Sequence, residues 1–143
     1  MRRKNSRTVT TFLLALSLLV SSITASAAPL QAATVQPRYV GLATLSAQLD
    51  ISSSGLAACY SMVNVRSGYT AEVTMELLQS PEGKNSWSKE KSWDTSGSGR
   101  LTIDEIWFVA PGYDYKVEVS VDVYNSSGRI VESPVKDSII VSY

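Results

Sequence analysis

The chain has 143 residues, which is room for one globular domain, and its 13 basic and 13 acidic residues balance. Histidine is absent, which excludes the commonest general base, the Ser-His and Cys-His nucleophile pairs and most catalytic zinc sites. Because Cys59 is the single cysteine, an intramolecular disulfide is excluded as well.

The first 27 residues have the features of a secretory signal peptide. Four basic residues (Arg2, Arg3, Lys4 and Arg7) precede a short apolar run at 12–23, and Ala-Ser-Ala follows at 25–27. A membrane anchor is the alternative, but crossing the hydrocarbon of a bilayer takes about 20 apolar residues. We therefore expect cleavage after Ala27 and release of the protein into the extracellular medium.

Removal of this leader changes the charge of the chain. The mature protein keeps 9 basic and 13 acidic residues, a net charge of −4. This predicts no nucleic-acid partner, because phosphate binding draws on clustered Lys and Arg. Residues 28–38 contain two prolines and no periodic pattern, which predicts a disordered entry arm before a domain at 39–143.

Apolar and polar residues alternate along most of the mature chain, which is typical of strands with one buried face. Leu45, Ala47, Leu49 and Ile51 predict a first strand, and Ala71, Val73, Met75 and Leu77 predict a third. Between them, Leu56 to Val65 is apolar on both parities, and we expect Ala57, Cys59 and Val63 to face inward.

The second half of the chain continues the alternation. Residues 87–93 predict a short polar strand with Trp87 and Trp93 on one face, and 101–109 predict a fifth strand with Trp107 in the core. The longest strand follows, with Tyr115, Val117, Val119, Val121 and Val123 on its buried face. A last strand at 137–143 follows Pro134, which places it at an edge or bend. About seven strands separated by turn signals predict a single antiparallel β-sandwich.

Leu101 to Val123 resembles the corner between strands E and F of a fibronectin type III or related immunoglobulin-like domain. The resemblance is carried by Pro111, Gly112 and Tyr115, which follow an apolar strand and lead into an alternating valine-rich one. It implies a fibronectin-like sandwich in which Tyr115 is a core tyrosine with its hydroxyl bonded to the backbone.

The mature chain also resembles small secreted proteins of Gram-positive bacteria, Clostridium and its relatives, that have no assigned activity. The shared features are Cys59 in the second strand, Leu78-Gln79, two tryptophans six residues apart, a Gly-Tyr-x-Tyr strand start at 112–115, and Glu132-Ser133 after a hairpin. This resemblance implies secretion and no particular function.

The candidate binding residues are Trp87, Trp93, Lys89 and Lys91, because aromatic faces stack on sugar rings and tryptophan is enriched at protein interfaces. The alternative is that each tryptophan covers one end of the core while the lysine stems lie over apolar surface. Cys59 is expected to be a buried small hydrophobe. We expect no metal, and the one candidate calcium cluster is Asp94, Asp104 and Glu105.

Two function classes remain. The first is a secreted, non-enzymatic binding module for a protein or glycan partner, monomeric, without a cofactor and without membrane attachment after cleavage. The alternative is a small secreted hydrolase or toxin-like effector that uses carboxylates, since glycoside hydrolysis needs only two acids. Asp104 and Glu105 are the densest acidic pair, but neighbours on a strand point to opposite faces.

Overall fold

The computed structural model of the protein describes residues 38–143. The predicted signal peptide and all of the predicted arm except Arg38 lie outside the described residues. The strands are β1 (Leu42–Ile51), β2 (Leu56–Val65), β3 (Tyr69–Pro81), β4 (Ser88–Gly97), β5 (Arg100–Phe108), β6 (Tyr113–Asn125), β7 (Ile130–Glu132), β8 (Val135–Asp137) and β9 (Val141–Ser142). Residues 38–143 include no helix that is both long and apolar enough to cross a membrane.

The strands form two antiparallel sheets that enclose one core. The smaller sheet has the order β1-β2-β5. The larger sheet has the order β4-β3-β6, and β7, β8 and β9 pair in turn with the other side of β6. This confirms the predicted all-β antiparallel sandwich. Of the last predicted strand, 137–143, only Asp137, the end of β8, and Val141–Ser142, which form β9, lie in strands, and Pro134 precedes β8.

The core is built from the inward faces of β1, β2, β3, β5 and β6. Ala57, Cys59 and Val63 are fully buried, so the inward face of β2 is as predicted. The centre of the larger sheet is the pairing of β3 with β6, in which Val73 lies opposite Val121 and Met75 opposite Val119. These cross-strand pairs put branched and flexible apolar side chains in direct contact, which stabilises the sheet.

The prediction for the end of β5 is wrong. Trp107 is 36% exposed, and its neighbours Ile106 and Phe108 are 61% and 73% exposed. The reason is that β5 is an edge strand: Ile106 and Phe108 lie opposite Ala58 and Leu56 on the outer face of the sheet. Trp107 lies on the other face, at the open side between the sheets, where β4 does not pair with β5.

Ser61 is a buried polar residue whose hydroxyl has no hydrogen-bond partner in residues 38–143. It lies between Ala47 on β1 and Ile103 on β5, within the apolar core. Leaving a buried hydroxyl unsatisfied costs about 1–3 kcal/mol. We therefore expect Ser61→Ala to raise the free energy of unfolding by about 1 kcal/mol in urea denaturation, and Ser46→Ala to serve as a control on the outer face. A loss of stability in Ser61→Ala would show that the hydroxyl is satisfied.

Candidate functional site

The turn from β5 into β6 fixes the corner of the sandwich. Pro111 and Gly112 are exposed, and Gly112 has a φ of 89°, a left-handed conformation that favours glycine. Tyr115 is fully buried, its hydroxyl donates to the carbonyl oxygen of Ala110 (2.7 Å), and the Ala110 N–H donates back to it (3.1 Å). The tyrosine therefore joins the chain on both sides of the turn.

Cys59 lies in the core of β2 and is a poor candidate for nucleophilic chemistry. Burial, and secondarily the charge of Glu105, raises the pKa of Cys59 to about 12. A thiol reacts as its thiolate, so this side chain is inert at neutral pH. We infer a packing role for it.

The raised pKa of Cys59 predicts an alkaline loss of stability. In the unfolded chain the thiol ionises near its ordinary pKa, about 8.5, whereas the folded protein keeps it protonated. The stabilisation is complete below the unfolded value and is lost as the pH rises toward the folded one. We expect the free energy of unfolding of the native protein to fall about 2.5 kcal/mol more than that of Cys59→Ala between about pH 8 and pH 10.5. Parallel pH profiles for the two proteins would contradict this.

A β-bulge separates the four candidate binding residues. Along the β3–β4 pairing, Leu77 lies opposite Lys91 but Leu78 lies opposite Lys89, so Glu90 is an extra residue. One extra residue shifts every side chain beyond it to the other face of the sheet. The expectation that Trp87 and Trp93 share a face is therefore wrong, and the two lysines are separated in the same way.

Trp87 and Lys89 lie on the outer face of the larger sheet. The Lys116 ammonium is 5.2 Å from the centre of the Trp87 ring, and Lys89 pairs with Glu76 at 3.0 Å. Lys116 also pairs with Asp137 (2.7 Å) and Glu118 (3.5 Å), and its side chain is only 13% exposed. Burial alone would lower the pKa of Lys116, but the hydrogen bond and charge of Asp137, with those of Glu118, outweigh it and raise that pKa. One face of the Trp87 ring is thus taken up by a firmly held cation.

Trp93 and Lys91 lie on the inner face of the same sheet. Trp93 lies opposite Met75 and packs against the core, where it is half-buried. The Lys91 ammonium is 4.7 Å from the centre of the Trp107 ring, and the Trp107 indole N–H donates to Glu90 (3.4 Å). The bulge thus supplies two contacts to Trp107, at the open side between the sheets.

These positions predict different effects for the two tryptophans. We expect Trp93→Ala to cost about 2 kcal/mol of folding stability, because it removes a ring packed on the core. Trp87→Ala should cost less, about 1 kcal/mol, because it removes a cation–π contact with Lys116 but no packing on the core. Thermal and urea unfolding of the two variants measure this difference directly. Equal losses, or a larger loss for Trp87→Ala, would contradict the assignment of faces.

The carboxylates considered for catalysis or calcium binding lie on separate surfaces. Asp94 accepts a hydrogen bond from the Thr74 hydroxyl (2.6 Å) on the outer face of the larger sheet. Asp104 lies on the outer face of the smaller sheet, opposite Tyr60, and Glu105 lies on the other side of β5, opposite Cys59. Within residues 38–143, no group of three His, Cys, Asp or Glu side chains is placed to hold a metal ion.

One exposed apolar surface was not found from the sequence. We call it the small-sheet face; it is the outer side of the smaller sheet, formed by Leu56, Ala58, Tyr60, Ile106 and Phe108. A shallow depression of about 430 Å³ adjoins it, between Tyr60 and Ile139. The sequence does contain a signal for it, because the apolar residues of β5 change parity from Leu101 and Ile103 to Ile106 and Phe108.

Two carboxylates border the small-sheet face. Asp50 lies opposite Ala58, and Asp104 lies opposite Tyr60. Neither forms an ion pair or a side-chain hydrogen bond within residues 38–143. An exposed apolar surface with free negative charge beside it is suited to a partner that presents apolar and basic side chains together.

We compared the sequence with known proteins. No family model matches it, and no curated protein matches it.

Proposed function

We propose that the protein is a secreted, non-enzymatic interaction module that binds a protein partner through the small-sheet face. The observation that carries this proposal is the exposure of Ile106 and Phe108, 61% and 73%, side by side on one outer face. Removing an Ile or Phe side chain from water is worth about 1.5–3 kcal/mol each. Contiguous apolar exposure of this kind marks interaction sites on soluble proteins.

A protein partner is favoured over a glycan by the position of the tryptophans. Stacking on a sugar needs a free aromatic platform, but Lys116 covers one face of Trp87 and Trp93 packs on the core. The bulge at Glu90 also keeps the two rings on opposite sides of the sheet. The small-sheet face instead combines aliphatic and aromatic side chains, which suits the apolar centre of a protein interface.

The fold within this proposal is fibronectin type III-like. Two features support it: the buried tyrosine that bonds the backbone before its own strand, and the pairing of β4 with β3 in the larger sheet. In constant-type immunoglobulin domains the fourth strand lies instead in the first sheet. Secretion is supported by the basic start, the short apolar run and the Ala-Ser-Ala site.

The test is a comparison of two surface variants of the full chain in partner capture from the extracellular fluid of the producing cells. Ile106→Ser/Phe108→Ser removes the exposed apolar side chains of the small-sheet face. Ile130→Ser/Val135→Ser removes two comparably exposed ones from the other sheet and is the matched control. We expect a specific partner to be retained by the control and lost by the first variant. Equal retention by both would contradict the proposal.

A further inference from the structure

We propose that the partner binds in an extended conformation, as an additional strand along the free edge of β5, and that it carries basic residues opposite Asp104 and Glu105. This inference rests on the proposed function and specifies how the partner is recognised. Strand addition uses main-chain hydrogen bonds for affinity and alternate side chains for specificity. The edge must therefore offer free main-chain groups, a regular strand and a distinctive side-chain pattern.

The hydrogen bonds at both ends of the β2–β5 pairing show which main-chain groups of β5 are free within residues 38–143. The Val65 N–H donates to the Gly99 carbonyl oxygen (2.7 Å), and the Val109 N–H donates to that of Gly55 (2.9 Å). In an antiparallel pair the bonded residues recur at every second position. The odd-numbered residues of β5 therefore bond to β2, and the even-numbered ones point their N–H and C=O groups away from it. These are Arg100, Thr102, Asp104, Ile106 and Phe108.

Among the edge strands in residues 38–143, β5 is the long one without an interruption. Its pairing with β2 continues over nine residues with no shift of register. The edge formed by β7, β8 and β9 is broken at Pro134, β4 is bulged at Glu90, and β1 is irregular near Leu42. Bulges, prolines and short strands are the usual means by which proteins prevent pairing at an edge. Only β5 lacks these three devices. Its charged side chains, Arg100, Asp104 and Glu105, instead restrict pairing to a strand of complementary charge.

The side chains of β5 determine what the added strand must carry. The first residue, Arg100, is basic, Asp104 and Glu105 form an acidic centre, and Ile106 and Phe108 are apolar. A complementary strand places basic residues opposite the acidic pair and apolar residues opposite Ile106 and Phe108.

The same pattern disfavours pairing of β5 with the β5 of a second copy over the whole length of the strand. Antiparallel self-pairing about Asp104 would place the two Asp104 carboxylates directly opposite each other, which is destabilising. We therefore assign the edge to a different, basic and apolar segment.

The experiment is an NMR titration of the full chain with the synthetic peptide acetyl-Val-Thr-Val-Lys-Lys-Val-Thr-Val-Glu-amide. In antiparallel register, its lysines lie opposite Glu105 and Asp104 and its glutamate lies opposite Arg100. We expect saturable binding with a Kd below about 1 mM and amide shifts concentrated at the even-numbered residues of β5. A control peptide with both lysines replaced by glutamate should bind at least tenfold more weakly. No saturable shift up to 2 mM, or shifts confined to the β2 side chains of the small-sheet face, would overturn the proposal.

Two variants separate edge binding from binding to the face. Ile106→Pro removes a main-chain N–H that β2 does not use, so the fold should remain while the peptide loses at least tenfold in affinity. Ile106→Val keeps the N–H and should bind like the native protein. If Ile106→Pro does not fold, the double variant Asp104→Lys/Glu105→Lys tests the proposal instead. It should bind the control peptide, in which glutamates replace both lysines, more tightly than the lysine peptide. An unchanged peptide preference in this double variant would overturn the proposal.

Analytical ultracentrifugation of the free protein tests whether a second copy of the chain occupies the edge of β5. A dimer that Ile106→Pro abolishes and Ile106→Val retains would assign the edge to a second copy and overturn the proposal, whereas a monomer agrees with it. Failure of this proposal can be distinguished from failure of the proposed function. Capture of a partner that depends on Ile106 and Phe108 would stand even if no peptide pairs with the edge.

Discussion

Tyr115→Ala is expected to lower the free energy of unfolding by about 3–5 kcal/mol, the range for emptying a large buried aromatic site. Tyr115 is the largest fully buried side chain and lies in β6, opposite Gln79 of β3. Its removal leaves a cavity in the core and also releases both hydrogen bonds to Ala110. The loss therefore combines packing and the positioning of the turn that joins the two sheets.

Tyr115→Phe separates these two contributions. This variant keeps the ring, but the N–H and C=O of Ala110 lose their hydrogen-bond partner, the hydroxyl. The free energy of unfolding should fall by about 1–2 kcal/mol. Urea denaturation of the two variants gives the comparison. A Tyr115→Ala protein as stable as the native one would contradict the corner described here, and equal losses for both variants would show that the hydroxyl carries the whole effect.

Glu132→Ala is expected to cost about 2–3 kcal/mol, although this residue lies in the short β7 near the end of the chain. Its carboxylate accepts main-chain N–H groups of Val40 (3.0 Å), Gly41 and Leu42 (3.0 Å). Hydrogen bonds to a charged group contribute more to stability than neutral ones, about 1.5–3 kcal/mol each. The bond from the Val40 N–H contributes less, because it is exposed to water. Glu132 thereby fixes the chain where it enters β1.

Glu132→Gln is the matched control, because its amide oxygen still accepts hydrogen bonds while the charge is lost. It should lose about half as much stability as Glu132→Ala. Gly41→Ala tests the same contact from the other side, since an added Cβ would lie 2.7 Å from the Val123 Cγ1 and 3.0 Å from the Glu132 carboxylate. Thermal unfolding in which Glu132→Ala matches the native protein would show that the entry of β1 is held by other contacts.

The period-two pattern was sufficient to predict the strands whose two faces differ. In β3 and β6 the apolar residues keep one parity throughout, so the buried face and the class of fold follow from the sequence alone. Cys59 was also predicted to be buried, because the segment around it is apolar. The corner at Tyr115 was recognised from a short motif whose geometry is local.

The candidate site was harder to predict because it depends on which strands lie at the edges. A bulge such as that at Glu90 has no strong sequence signature, yet it reverses the faces of Trp87 and Lys89 relative to Trp93. The apolar run at 106–109 favoured a buried position for Trp107, which the structure places at 36% exposure. Trp107 is exposed because β4 pairs with β3 rather than with β5, whereas Ile106 and Phe108 are exposed because they lie on the outer face of the smaller sheet, opposite Ala58 and Leu56.

The most direct test of this account is amide hydrogen exchange along β5 in the free protein, since its central claim is that β5 has one paired and one open edge. The prediction is an alternation: slow exchange at Ile103, Glu105 and Trp107, whose N–H groups point toward β2, and fast exchange at Thr102, Asp104 and Ile106, whose N–H groups point outward. Uniform protection along β5 would show that the edge is covered and would contradict both the topology and the proposed binding edge.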